Sequence, residues 1–264
     1  MDTDDNGLWH LTVYLSHSRG LAFLTNIAND DDELKILMDE SWEAHGQELL
    51  EKFENAVYSH PQVLDDYSAH IVVCTPDTVW LPSSFQYDDT AMENLYSEIN
   101  RQDDSTGLFH ETDDDVMSVT SGIAGLVPFL SRTFPGARVS SREMVMLRKF
   151  RKYPGGGTRL YATIERDEMI ISLLDGQKLL CSSTFQASSS GDRMYVIAHI
   201  LNCYHLDPST MEIFVAGDAV PSSELIGLLR EKVDCVMHTP SLPCFDIDIP
   251  LSARIVCRGT KSVF

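Results

Sequence analysis

Three side chains near the middle of the second half of the chain, His199, Cys203 and His205, are of metal-binding type. His199 and Cys203 are four apart, a spacing that places both on one helix face and suits a thiophilic cation. No fourth ligand lies nearby in sequence, and the surrounding apolar residues mark a core-facing helix, so a packed histidine and thiol is expected, with no metal. "MDTDDNG" begins like a calcium loop, with Asp2, Asp4, Asn6 and Gly7 in register, but its twelfth position is Val13 where a glutamate is needed. Asp103 and Asp104 with Asp113, Asp114 and Asp115 read as solvated loop acids. Ser121 has valine two residues before it, so no nucleophile elbow is present. No spacing pairs a serine or cysteine with a base, and no catalytic residue is assigned. The Gly155–Gly157 run lacks the Lys-Ser/Thr of a phosphate loop and reads as a linker.

Bulk properties narrow the function classes. The chain has 264 residues, 43% hydrophobic, with 40 acidic against 20 basic side chains and a net charge of −20. Such a charge repels nucleic acid and anionic lipid. It also raises the thought of a nucleic-acid mimic, but the acids are scattered through loops rather than ordered along one element. The cluster Arg148, Lys149, Arg151 and Lys152 suits the C-terminal end of a helix. No apolar run reaches the length of a membrane span, and no signal-peptide pattern follows Met1, so a cytoplasmic protein is expected. Six cysteines without regular spacing, five in or beside apolar runs, read as reduced, core-like thiols. Trp9, Trp42 and Trp80 read as core or interface anchors.

The elements follow from periodicity. Trp9–Ser16 and Leu21–Ile27 read as strands about a turn containing Gly20; after Asp30–Asp32 the apolar residues could continue one long helix, and the repeat with the second half instead assigns 33–38 to a third strand. A helix over 47–58, a buried strand over 69–76 and an added strand 78–82 beside it come next. A helix over 88–100, strands 108–111 and 116–120, a helix over 123–134, a short strand at Val139 and a helix over 142–150 complete the first half. The run from Lys152 to Arg159 divides the chain, giving lobes 1–153 and 158–264 about a linker 154–157. After it come strands 159–165 and 169–174 about the acidic turn Arg166–Glu168, and a third over 178–185 after Asp175-Gly176. A helix then buries Met194, Ile197, Ile200, Leu201 and Tyr204, with Ser190 or Asp192 as its cap. A strand over 211–217 and a helix from Pro221 to Val233 follow. Each half thus runs strand, strand, strand, helix, strand, helix, which argues an α/β duplication with a cleft between its halves.

The strings "LTVYLSHSRGLAFLT", "VVCTPDTVWLPSSF", "GLVPFLSRTFPGARVSSREMVML" and "RLYATIERDEMIISLLDG" carry a resemblance that spans essentially the whole chain. It resembles the actin-like ATPase superfamily, whose lobes have ribonuclease-H-like topology, and more narrowly a Bacteroidetes family of unknown function with that fold. The resemblance implies a nucleotide site, ATP with Mg²⁺, built from two hairpins and an adenosine-side glycine turn. Onto this chain it carries Ser16, Ser18 and Gly20 in the first hairpin, Glu165 and Arg166 in the second, and Gly217 and Asp218 at the adenosine side. The superfamily uses glycine there so that backbone amides approach phosphate, and a carboxylate to orient metal or water. This chain departs from that pattern. The first hairpin has one glycine and no carboxylate, the second has three acids and no glycine, and the third keeps a single glycine. The expectation is therefore a non-catalytic protein that takes no cofactor and acts through a protein partner or self-association. The alternative is an ATP-binding switch with little hydrolysis.

Overall fold

The computed structural model describes residues 9–26, 34–74, 78–84, 88–100, 108–153, 156–217 and 224–239. These divide into two compact units, the first running to Val145 and the second beginning at Met146. Of the expected linker, residues 154 and 155 lie outside the described residues.

The first unit opens with the meander β1 (Trp9–Leu15), β2 (Arg19–Asn26) and β3 (Leu34–Ser41), followed by helix α1 (Gly46–Ser59) and strand β4 (Ser68–Val73). Strand β5 (Thr78–Pro82), helix α2 (Asp89–Asn100), strands β6 (Leu108–Asp113) and β7 (Val116–Ser121), helix α3 (Leu126–Thr133) and strand β8 (Arg138–Ser141) come after, and helix α4 (Arg142–Lys152) begins in the first unit and continues past Val145 into the second. Five strands form one sheet in the order β3-β2-β1-β4-β8, antiparallel within the meander and parallel from β1 through β4 to β8. Alternation in β1 sends Leu11, Val13 and Leu15 to the face covered by α1 and α3, where Phe53 and Phe129 meet edge to face at 5.6 Å.

Strand β5 does not extend this sheet as the sequence suggested. It pairs antiparallel with β7 in a separate three-stranded sheet, β5-β7-β6, whose apolar face takes Met92 and Tyr96 of α2. The hydrophobic run of β5 specifies a strand but not which neighbour it finds. Helix α3 begins three residues later than expected because its N-cap, Gly125, is left-handed at φ 83°.

The second unit repeats the plan. Strands β9 (Thr158–Glu165), β10 (Glu168–Asp175) and β11 (Lys178–Gln186), helix α5 (Ser190–Cys203), strand β12 (Glu212–Gly217), helix α6 (Glu224–Arg230) and strand β13 (Cys235–Thr239) form the sheet β11-β10-β9-β12-β13 under the two helices. Its order matches the first sheet strand for strand. Even the meander irregularity recurs, between Ala22 and Phe23 in one sheet and Leu173 and Leu174 in the other.

The cap of α5 is Ser189 rather than Ser190 or Asp192. Its hydroxyl accepts the Asp192 amide at 3.1 Å while Asp192 Oδ2 accepts the Ser189 amide at 3.2 Å, a reciprocal capping box. Tyr204, expected in the core, is 39% exposed as the C-cap residue and donates its hydroxyl to the Leu180 carbonyl. Pro221 and Ser222, expected to open α6, lie outside the described residues.

On the opposite face of the second sheet, Tyr161 stacks between Phe150 of α4, at 3.9 Å, and Phe214, at 4.7 Å. Burial pushes the Tyr161 hydroxyl up to about 12, with Arg159 pulling the other way. Arg159 is fully buried there, donating to the carbonyls of Tyr153 and Gly176 between the Tyr153 and Tyr161 rings. Its guanidinium ties the segment that enters β9 to the β10–β11 turn.

Candidate functional site

The two hairpins on which a nucleotide site would stand sit at equivalent ends of their sheets. In each unit the first strand of the meander ends beside the end of its parallel neighbour, and ligands of open α/β sheets bind at such carboxyl ends. Whether a hairpin can hold phosphate depends on where its amides point.

In the first hairpin the Ser16 amide donates to the Arg19 carbonyl at 2.8 Å and closes the turn. The Ser16 hydroxyl oxygen then accepts the Ser18 amide at 3.3 Å and the Arg19 amide at 3.0 Å, with Ser18 Oγ 3.2 Å away. A phosphate loop presents convergent amides to an external anion. Here two amides converge on a hydroxyl of their own chain, and both serines are buried.

Gly20 lies inside β2 opposite Leu15, not in the turn. A Cβ at Gly20 would stand 2.2 Å from Trp42 Cη2, so the space that a bare backbone leaves is filled by indole. Trp42 is fixed in turn: its Nε1 donates to the Ser16 carbonyl at 3.0 Å and its amide to the Ser18 carbonyl at 3.1 Å. The Ala44 amide donates to the His17 carbonyl, and the His17 and His45 rings stack at 5.5 Å. Arg19 forms a two-pronged pair with Asp39, 2.8 Å at each prong. The structure brings Ser16 and Ser18 together in the turn, both buried, with Gly20 just beyond them in β2.

The second hairpin is a two-residue turn, Arg166-Asp167, between the paired Glu165 and Glu168. Arg166 adopts φ 54°, the left-handed region that glycine usually fills. Helix α5 holds the turn, with Arg193 Nη2 donating to the Arg166 carbonyl at 2.7 Å and Nε to the Ala187 carbonyl at 2.8 Å. The Ala187 amide donates back to the Asp167 carbonyl at 2.7 Å. Gly217, left-handed at φ 86°, pairs with Ile164 at the end of β12, so Glu165, Arg166 and Gly217 gather at one end of the second sheet. Asp218 lies outside the described residues.

His199 and Cys203 are exposed on α5, not packed in the core. The thiol lies 3.6 Å from Nε2 and 4.0 Å from Nδ1. Among the described residues no three His, Cys, Asp or Glu side chains are grouped to hold a metal. The reading of the cysteines as core-like holds for buried Cys74. It fails for exposed Cys203, while Cys181 and Cys235 are half-buried. Residues 2–7, 103 and 104 lie outside the described residues.

Sequence reasoning missed a buried polar network in the first unit. His70 Nε2 is 2.8 Å from Ser140 Oγ, and Ser140 Oγ donates to Glu111 Oε1 at 2.8 Å. The Ser141 amide donates to Glu111 Oε2 at 2.9 Å. With the serine proton given to the carboxylate, His70 supplies the hydrogen between imidazole and hydroxyl. The serine stands in the middle and is fully buried, so the group joins the three-stranded sheet to the larger one and is no nucleophile. Beside it Arg142 and Glu143 form a buried ion pair at 3.0 Å, and Thr78 donates to the same carboxylate. No local spacing announces partners from three separate strands.

A family model described as "Protein of unknown function (DUF3822)" matches residues 3–232. No curated protein matches the chain. Among solved structures, a Bacteroides thetaiotaomicron protein described as having an actin-like ATPase fold and unknown function is 16% identical. The alignment covers 90% of this chain and 93% of that one, with a TM-score of 0.77. The PilM–PilN type IV pilus biogenesis complex supplies a second match, 9% identical over 90% of this chain and 89% of that one, with a TM-score of 0.51. At these identities the matches show the fold alone: two lobes of actin-like ATPase type.

Proposed function

We propose that this chain, which belongs to the DUF3822 family of proteins of unknown function, works as a non-hydrolysing actin-like protein that acts through protein contacts. One observation carries the reading. The Ser16 hydroxyl takes the Ser18 and Arg19 amides, the groups a phosphate would need. The Trp42 indole over Gly20 supports it by filling the room that a bare backbone leaves. Phosphoryl transfer rests on positioned metal and anion-binding donors, and a side chain would first have to vacate the first hairpin to supply them.

Among the described residues no helix is long and apolar enough to cross a membrane. The net charge of −20 disfavours nucleic acid as partner. A cytoplasmic protein that binds other proteins fits both.

A second reading, an ATP-binding switch, draws on Gly217, whose left-handed backbone beside Glu165 and Arg166 keeps one element of an adenosine-side turn. Differential scanning fluorimetry with MgATP, MgADP and MgGTP separates the two. A ligand at about 100 times its Kd stabilises by ~2.7 kcal/mol, and we expect no shift with millimolar nucleotide. A Mg²⁺-dependent rise in Tm would establish the switch instead.

A further inference from the structure

Helix α1 buries Leu49, Leu50, Phe53, Ala56 and Val57 against the first sheet. Its other side presents Glu48, Glu51 and Glu54 at three-residue steps, and one turn further stands Tyr58, 54% exposed. Tyr58 meets the buried Phe129 ring edge-on, with centroids 6.1 Å apart and planes at 84°. A half-open aromatic ring on a rigid backing is the kind of anchor that dominates protein contacts. From Glu43 to Asp66 the sequence places six carboxylates against one lysine, and that Lys52 is paired with Glu48 at 2.9 Å. Nearby His60 faces Glu40 at 3.6 Å, and Arg132 lies 6.0 Å from the centre of the Phe129 ring.

We propose that the outer face of α1 docks a cationic, amphipathic segment of a partner protein, with Tyr58 as anchor and Glu48, Glu51 and Glu54 as the acidic track. Charge complementarity selects the occupant: lysine and arginine side chains are drawn to the carboxylates, and a cation gains further over the tyrosine ring. Polyanions and anionic membranes are repelled by the same stripe. This proposal rests on the reading of the chain as an interaction protein and adds the chemistry of its partner.

The test uses the full chain and a fluorescein-labelled helical Lys/Leu peptide of about 18 residues, five turns long, followed by fluorescence anisotropy over a salt series. Binding should weaken as salt rises. Tyr58→Ala, Tyr58→Leu and the pair Glu51→Gln/Glu54→Gln should each weaken it by about tenfold, equivalent to ~1.4 kcal/mol. The charge-matched pair Glu224→Gln/Glu231→Gln in the second unit should leave affinity within about twofold, less than one hot-spot residue contributes. Circular dichroism checks that each variant folds. Absence of binding, or equal weakening by the control pair, overturns the α1 site. Neither result touches the nucleotide question, which the thermal shift with MgATP decides separately.

Discussion

At the scale of single residues, Gly20 and Trp42 are a matched pair. Adding one methyl at Gly20 forces it to 2.2 Å from the indole of Trp42, a residue tied to the hairpin by one hydrogen bond from its indole and one from its backbone amide. Gly20→Ala should therefore cost roughly 1–3 kcal/mol, the range for overpacking. In a Trp42→Leu background the same change should cost much less, and urea unfolding of the four proteins gives the coupling directly. Sequence alone located this hairpin and its serines, because apolar runs on either side bracket the turn, although Gly20, read as a turn residue, lies inside β2. It could not say that the glycine makes room for an indole 22 positions away. Likewise Glu111, Ser140 and His70 carry no local signal, since three strands must assemble before they meet.

Among the elements, strands and helices were legible wherever their own periodicity decided them, as in the second meander, α2 and α5, whereas β3 and α1 could be told apart only through the repeat of the second half. Partner choice was less so: β5 reads as a strand, but its pairing with β7 is a tertiary outcome. The start of α5 shows the same limit at finer grain, because Ser188, Ser189 and Ser190 are chemically equal candidates and only geometry selects the middle one. Ser189→Ala removes the capping box and should lower stability by about 1 kcal/mol. Ser190→Ala should change it little, as thermal denaturation of the two variants will show. The cap has a further task, since it fixes the helix turn from which Arg193 reaches the Arg166 and Ala187 carbonyls.

The molecule as a whole carries 20 more acidic than basic side chains. Self-repulsion of that size opposes the compact state and fades as salt shortens the Debye length to about 10 Å at 0.1 M. Tm should climb by several degrees between ~10 and ~300 mM NaCl and then level off, as screening saturates. A fall in Tm over that range would mean that paired surface charges outweigh the repulsion. The duplicated plan was readable in the order of elements, and the two sheets match it strand for strand.

A bend that completes its own hydrogen bonding has no vacant form. On the proposed reading, the Ser16 hydroxyl already holds the Ser18 and Arg19 amides, and the first hairpin would owe its shape to its own chain rather than to a bound anion.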